Sequence, residues 1–513
     1  MLTRQASFNR ARSRYGWWLG LSVAVLLLAA GSARGQAEPL PATTRTTAAV
    51  PMGFDEARHL LNRTSFAAQI SEINEFAMLT RREAVDRLLA ETRRQASYPP
   101  PAWSQTYERA FRPEMTPEER MKANRRELVE RGLELRTWWV AEMLSTPSPF
   151  TERMTLFWHN HFATSQQKSR SATLMYRQNV LLRKYATGNF AAMLREVGKD
   201  PAMLIYLDGA QNRKGAPNEN FAREVMELFT LGEGNYTEQD VKEAARAFTG
   251  WSIDGDSGEF RFRRAIHDDG VKKVLGREGR FNGDDMITLL LQQSATGEFI
   301  VGKLWREFVS PDANSTANAL AVKKLADDWR AVNYEIKPLL RELLLSDAFW
   351  APENRGVLVK SPVDLVIGSL RQFRFSVEDP APFAVILRQL GQDLFNPPNV
   401  KGWPGGEAWL NTTTLLARKG FLNRLFRADE MVKPAVVAAA INTSNMEVKP
   451  ATALADTIAT TGQSTAQLMD KDLVGANRQR AQMRLAARGT AATDPMATAL
   501  IPAFGVADRK SVV

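Results

Sequence analysis

Apolar side chains return every three to four residues through most of this 513-residue chain, and that spacing restricts it to a mainly α-helical fold. The period predicts helices over 54–62 and 71–92, over 117–131 running into 133–144, and over 151–165, 173–185, 190–199 and 201–207. Further helices are expected over 283–293, 298–309, 317–332, 336–346, 362–373 and 382–390. Only WSI-DGDSG-EFRFR, residues 251–263, alternates with period two about a turn-rich centre, so it reads as a hairpin. The expected architecture is one large multi-helix domain of orthogonally packed helices over 54–430, with one small β-hairpin insertion.

The most ordered stretch is NENFAREVMELFTLGEGNYTEQDVKEAARAFTGW, residues 218–251. Asn218 is a good N-cap, Glu219 suits the dipole of the first turn, and Gly232 stops the helix. Thr237, three residues before Asp240, starts a second helix that ends near Gly250, so the pair reads as a helical hairpin. Glu219, Arg223 and Glu227 fall four apart on one face, where two solvent-side ion pairs are expected. Glu224 falls between Phe221, Val225 and Leu228 on the side expected to be buried, and a buried carboxylate needs a partner. Arg246 or Arg195 would supply an internal ion pair; otherwise Glu224, with Glu227, is a general-base or metal-ligand candidate. Asn220, Arg223 and Trp251 complete the residues of this stretch that a ligand would meet.

Cysteine is absent, which excludes disulfides, thiol catalysis, thiolate metal sites and a lipoprotein anchor. Arg4, Arg10, Arg12 and Arg14 precede a short apolar run from Trp17 to Ala30, then Gly31, Ser32, Ala33 and Gly35. This order predicts a secretory signal peptide over 1–35, because the run is shorter than the roughly 20 residues a membrane span requires. The protein is therefore expected to be exported, periplasmic or secreted, without an integral membrane segment after cleavage. Removing that segment lowers the formal net charge from +10 to +5, and no basic stripe with interleaved aromatics is present, so nucleic acid is not an expected partner. Residues 36–53, rich in Pro, Thr and Ala, read as a disordered leader. Residues 431–513 read as a low-complexity tail with weak helices over 452–458 and 478–487, and the final DRKSVV resembles translated adapter sequence, as in a truncated chain.

Three of the four histidines lie in two compact motifs, FWHNHF and HDDG. Met154, Phe157, Trp158 and His161 share a helical stripe, which leaves His159 on another face. The two imidazoles share a metal only if the helix ends near Trp158 and the chain becomes extended. Each is otherwise a core histidine bonded to a carbonyl, or a proton carrier. His267 beside Asp268 is a further pair that orients a tautomer, holds a metal or caps a turn. His159, His161, His267 and Asp268 are thus the metal-ligand candidates, and Glu224, Glu227 and His161 the catalytic ones. Imidazole and carboxylate would suit a divalent transition metal such as zinc, manganese or iron. Asp254, Asp256 and Glu259 lack the glycine and closing glutamate of a calcium loop and read as a solvated turn. Trp403 and Trp409, in a Pro- and Gly-dense loop, either lock it to the core or offer a face to a ligand such as a sugar.

FWHNHFATS, NENFAREVMELFTLGEGNYTEQDV, ARAFTGW, HDDGVKKVLG and NPPNVKGWPGGEAWLN, in this order, resemble the bacterial domain-of-unknown-function family 1800. The resemblance spans residues 54–425 and implies a large, mainly helical exported protein, often encoded beside a partner family with sulfatase-like or phosphatase-like character. It transfers no catalytic residue. No G-x-S-x-G elbow, H-E-x-x-H or phosphate-cradling glycine loop occurs in the sequence. Two function classes follow: a cell-envelope or polymer-binding or scaffolding module acting with a partner protein, and a metal-dependent exported enzyme, hydrolytic or oxidative.

Overall fold

A computed structural model of the chain describes residues 50–108 and 114–427. The segments expected to be a signal peptide and tail helices, and nearly all of the expected leader, lie outside the described residues. Within them the chain is mainly helical, with two small antiparallel two-stranded sheets. No described helix is long and apolar enough to cross a membrane.

Local sequence accounts for most of the helix boundaries. Thr80, Thr116, Thr237, Asn282 and Ser361 each cap a helix whose N3 acid answers back to the cap, so two otherwise orphan backbone donors are satisfied at each start. The Thr80 cap also divides the predicted 71–92 helix into Ile70–Ala77 and Arg81–Ala90. Pro117–Asn124 joins Arg131–Ser145 through a wider-wound turn at Arg125–Glu130. A helix over Thr412–Arg427 extends the predicted set.

The predicted hairpin is present as Trp251–Ile253 paired with Phe260–Phe262, Trp251 standing opposite Phe262. Asp254 closes its turn by accepting from the backbone N–H groups of Asp256 and Ser257, so this acidic cluster is a turn-forming device. A second hairpin pairs Lys272–Val274 with Arg277–Gly279. Leu275 and Gly276, both with positive φ (49° and 74°), make its two-residue turn. The usual Asn-Gly or Asp-Gly signal is absent there, and the backbone N–H of Leu275 is held instead by Asp240 Oδ1 at 2.7 Å.

Two apolar clusters form the interior. One gathers Trp158, Phe190, Phe229, Phe248, Trp251, Trp305 and Trp329, and the other Trp138, Trp139, Val366, Phe395 and Phe421. A buried ion pair crosses between helices here: Arg183 of Ala172–Tyr185 grips Glu152 of Pro149–His161 with bonds of 2.6 and 2.8 Å. Trp139 of Arg131–Ser145 donates its Nε1–H to the same carboxylate at 2.8 Å.

Candidate functional site

The last turn of the Pro149–His161 helix is where three of the sequence motifs meet. Successive helical residues are rotated by about 100°, so His159 and His161 point to different faces and each engages a different part of the chain. His159 Nε2 accepts the backbone N–H of Phe395 at 3.1 Å, while the Phe395 carbonyl accepts from the Gln166 N–H at 2.8 Å. Phe395 sits at φ 62°, a conformation costly for an aromatic residue, and these two bonds hold it there. Asn160 Oδ1 accepts from the Trp403 N–H at 2.7 Å, and Ser165 Oγ donates to Asn396 Oδ1 at 2.7 Å. The whole 395–403 loop is latched onto this helix end. Trp403 and Trp409 are 4% and 7% exposed, so both lock the loop to the core, and neither offers a ring face to a ligand.

His161 turns the other way. Its Nε2–H points at the carbonyl of Phe229 at 3.3 Å, which leaves Nδ1 as the acceptor for the ammonium of Lys303 at 3.1 Å. The Phe229 carbonyl belongs to the end of the central helix, which runs Glu219–Met226 and then continues in a wider i→i+5 winding over Glu227–Leu231. The helix therefore continues past Trp158 to His161, and the extended chain needed for a shared metal does not form.

The π-wound segment ends at Gly232, whose φ is +77° and where a Cβ would stand 2.9 Å from the Phe299 ring. Gly232→Ala should therefore lose about 1 to 3 kcal/mol of stability from the strained φ alone. Thermal unfolding of the variant checks this, and an unchanged Tm would mean the turn relaxes without strain.

On the outer side of the same helix lie the two carboxylates singled out from the sequence. Glu227 accepts from the Tyr236 hydroxyl. Burial first, then the bond to Glu227, pushes the Tyr236 phenol up to about 12. Arg223 does not pair with Glu227 as the spacing predicted. It forks onto Glu238 at 2.7 Å through both terminal nitrogens and keeps Glu219 at 3.4 Å. The wider winding that begins at Glu227 breaks the four-residue repeat, and the hairpin brings Glu238 across instead.

Glu224 is half-buried and does not pair with Arg246 or Arg195. Arg246 is committed to Asp268 and Glu243, and Arg195 to Asp284 O and Thr288. Among the described residues no hydrogen bond or ion pair reaches the Glu224 carboxylate. Burial, then the nearby Glu227 charge, raises its pKa, against the opposing pull of Arg223 and Lys401. Tyr206 stands close enough for the Glu224 charge to raise its phenol as well, behind the larger effect of burial. Asn220 is occupied in part, its side-chain amide donating to Leu207 O at 3.1 Å.

The HDDG motif is a staple. His267 Nδ1 lies 2.7 Å from the carbonyl of Thr249, and Asp268 takes a forked bond from Arg246 at 2.8 and 3.2 Å, which holds its carboxyl down at about 2. Trp251, 2% exposed, is core and not a ligand contact. Among the described residues no group of three or more His, Asp or Glu side chains is placed to hold a metal ion. The structure thus does not gather His159, His161, His267 and Asp268 into one centre, because each is drawn to a separate backbone or arginine partner. Lys303, which sequence reasoning passed over, is instead the side chain that meets His161. A lysine inside an amphipathic helix looks like any solvated one until its neighbours are known.

These buried imidazoles carry a pH dependence. Burial, then the Arg136 guanidinium, lowers His159 from 6.5 to about 3. Between those values the unfolded chain binds a proton that the folded chain refuses, so this contribution to stability is complete above about pH 6.5 and is lost as the pH falls. The loss should reach about 2 kcal/mol by pH 5, at about 1.4 kcal/mol per pH unit. Urea midpoints of wild type and His159→Gln at pH 7 and pH 5 test this: the variant should show the flatter dependence, and equal slopes would refute it.

No curated protein and no solved structure matches the chain. A family match described as "Protein of unknown function (DUF1800)" covers residues 59–502, continuing past the last described residue. With that match over most of its length and all five motifs tied into one helical body, the chain belongs to the DUF1800 family.

Proposed function

We propose that this protein is an exported binding and scaffolding module of the cell envelope, acting on a polymer or with a partner protein, and that its recognition surface is the outer side of the central helix. The observation that carries the reading is the contrast between Glu224 and the histidines, tryptophans and Asp268 of the motifs. His159, His161, His267, Asp268, Trp403 and Trp409 are consumed as internal struts, whereas among the described residues Glu224 keeps an unpaired, half-buried carboxylate near Glu227 and Tyr206. A partly dehydrated carboxylate without a donor of its own is a hydrogen-bond acceptor awaiting one. It suits amino or hydroxyl groups of a polymer, or a basic segment of a partner.

Sedimentation of the full-length protein with purified cell-wall polymer, and co-purification with the neighbour-encoded partner, test the reading with Glu224→Gln as the probe. The substitution keeps the shape and removes the charge, so binding should weaken on the order of tenfold, the loss of one charge-assisted bond. Unchanged binding by Glu224→Gln, or no binding to either material by wild type, would refute this surface. N-terminal sequencing of the secreted form tests the export half of the proposal, with the mature chain expected to begin near residue 36.

A further inference from the structure

Beyond that reading, we propose that Lys303 is a reactive amine that takes small carbonyl compounds, aldehydes or ketones, as an imine at a site built from His161, Phe299 and the π-wound end of the central helix. Four features of the structure converge on it. The Lys303 Nζ lies 3.1 Å from His161 Nδ1 and stands over the Phe299 ring, 4.7 Å from its centroid. Among the described residues no carboxylate pairs with it, unlike Lys168, Lys199, Lys323 and Lys324, which all have acidic partners. The charged group that bears on it is a second cation, Arg306. The imidazole it meets is ringed by Phe157, Phe229 and Phe299, with Gly232 held close against the last of these.

Desolvation and a neighbouring cation are what turn an ammonium into a nucleophile. Burial, then Arg306, lowers Lys303 to about 8. The imidazole does the orienting. Because Nε2–H is committed to the Phe229 carbonyl, Nδ1 remains an acceptor. A neutral amine that keeps one N–H on Nδ1 directs its lone pair away from the ring. The residue as a whole is half-buried.

In the step itself the Nζ lone pair forms a bond to the carbonyl carbon while the C=O π pair moves to oxygen. The two protons of the neutral amine pass to that oxygen, which leaves as water as the C=N bond forms. Nothing is oxidised or reduced. His161 is a positioning residue here, since burial and Lys303 hold its own pKa well below the ordinary imidazole range.

The test uses the full chain with glycolaldehyde as the carbonyl probe and sodium cyanoborohydride to trap the imine, reading alkylation at each lysine by peptide mass spectrometry across pH 6 to about 10.5. Lys303 should react on the order of tenfold faster than Lys324 at pH 8, and its rate should level off above about pH 8 while ordinary lysines keep rising toward about 10.4. Labelling of Lys303 no faster than Lys324 would overturn the proposal, as would a Lys303 rate still climbing at pH 10. Neither result bears on the Glu224 surface, whose test reads a different residue.

Discussion

Glu152→Ala is expected to lower the unfolding free energy by about 3 to 5 kcal/mol, the cost of leaving a buried guanidinium without its counter-charge. Both partners are 1% exposed, and the carboxylate serves two donors at once, Arg183 through a fork and Trp139 through its indole N–H. Arg183 already has one nitrogen, Nη1, without a partner, and Glu142, the other carboxylate near it, is tied to the backbone N–H groups of Ser97 and Tyr98. Glu142 engages those two donors through Oε2 alone and makes no hydrogen bond to Arg183, so one carboxylate with a free Oε1 would remain near a guanidinium that has lost its fork. Replacing both partners by apolar residues, Glu152→Leu with Arg183→Met, should cost less than Glu152→Ala alone, because no uncompensated charge remains. Urea unfolding followed by circular dichroism measures all three chains. A single-variant loss below about 1 kcal/mol, or a double variant worse than the single, would contradict a buried and interdependent pair.

Trp251→Ala should be comparably damaging, at about 3 to 5 kcal/mol, for a different reason: it opens a cavity where three elements meet. The indole lies 5.0 Å from the Phe248 ring, 6.0 Å from Phe221 and 5.5 Å from Phe260, and it covers the backbone at Gly283 so closely that a Cβ there would stand 2.2 Å from Cζ2. Gly283→Ala should therefore destabilise from the opposite side by forcing the same ring out of place. The two substitutions act on one contact, so the double variant should lose less than the two separate losses combined. Full additivity in denaturant unfolding would mean that ring and glycine do not depend on each other.

The candidate site was legible in its parts and not in its assembly. The apolar stripe Met154, Phe157, Trp158, His161 placed His161 inside before any coordinates, and the Thr237–Asp240 spacing announced the second helix of the hairpin. The partners of these residues lie far along the chain. His161 meets Lys303, 142 residues later, and His159 meets Phe395, 236 residues later. The spacing of Glu224 with Phe221 and Val225 favours a buried ion pair, with a general base or metal ligand as the alternative. In the structure it is half-buried, and the arginines nominated for it already have acceptors of their own. Arg223 followed the same logic, choosing Glu238 across the hairpin once the winding changed at Glu227.

By itself the sequence determined what depends on near neighbours: the mainly helical class, the capped starts, the first hairpin and the membership signalled by motifs in order. Periodicity and capping act over three or four residues and are written directly in the chain. Only the tertiary structure decided which histidine touches which carbonyl, that Trp403 and Trp409 are locks, and that among the described residues Glu224 has no partner and Lys303 no acid. Those outcomes are competitions among donors and acceptors for a limited number of buried positions, and long-range packing sets which of them come within reach.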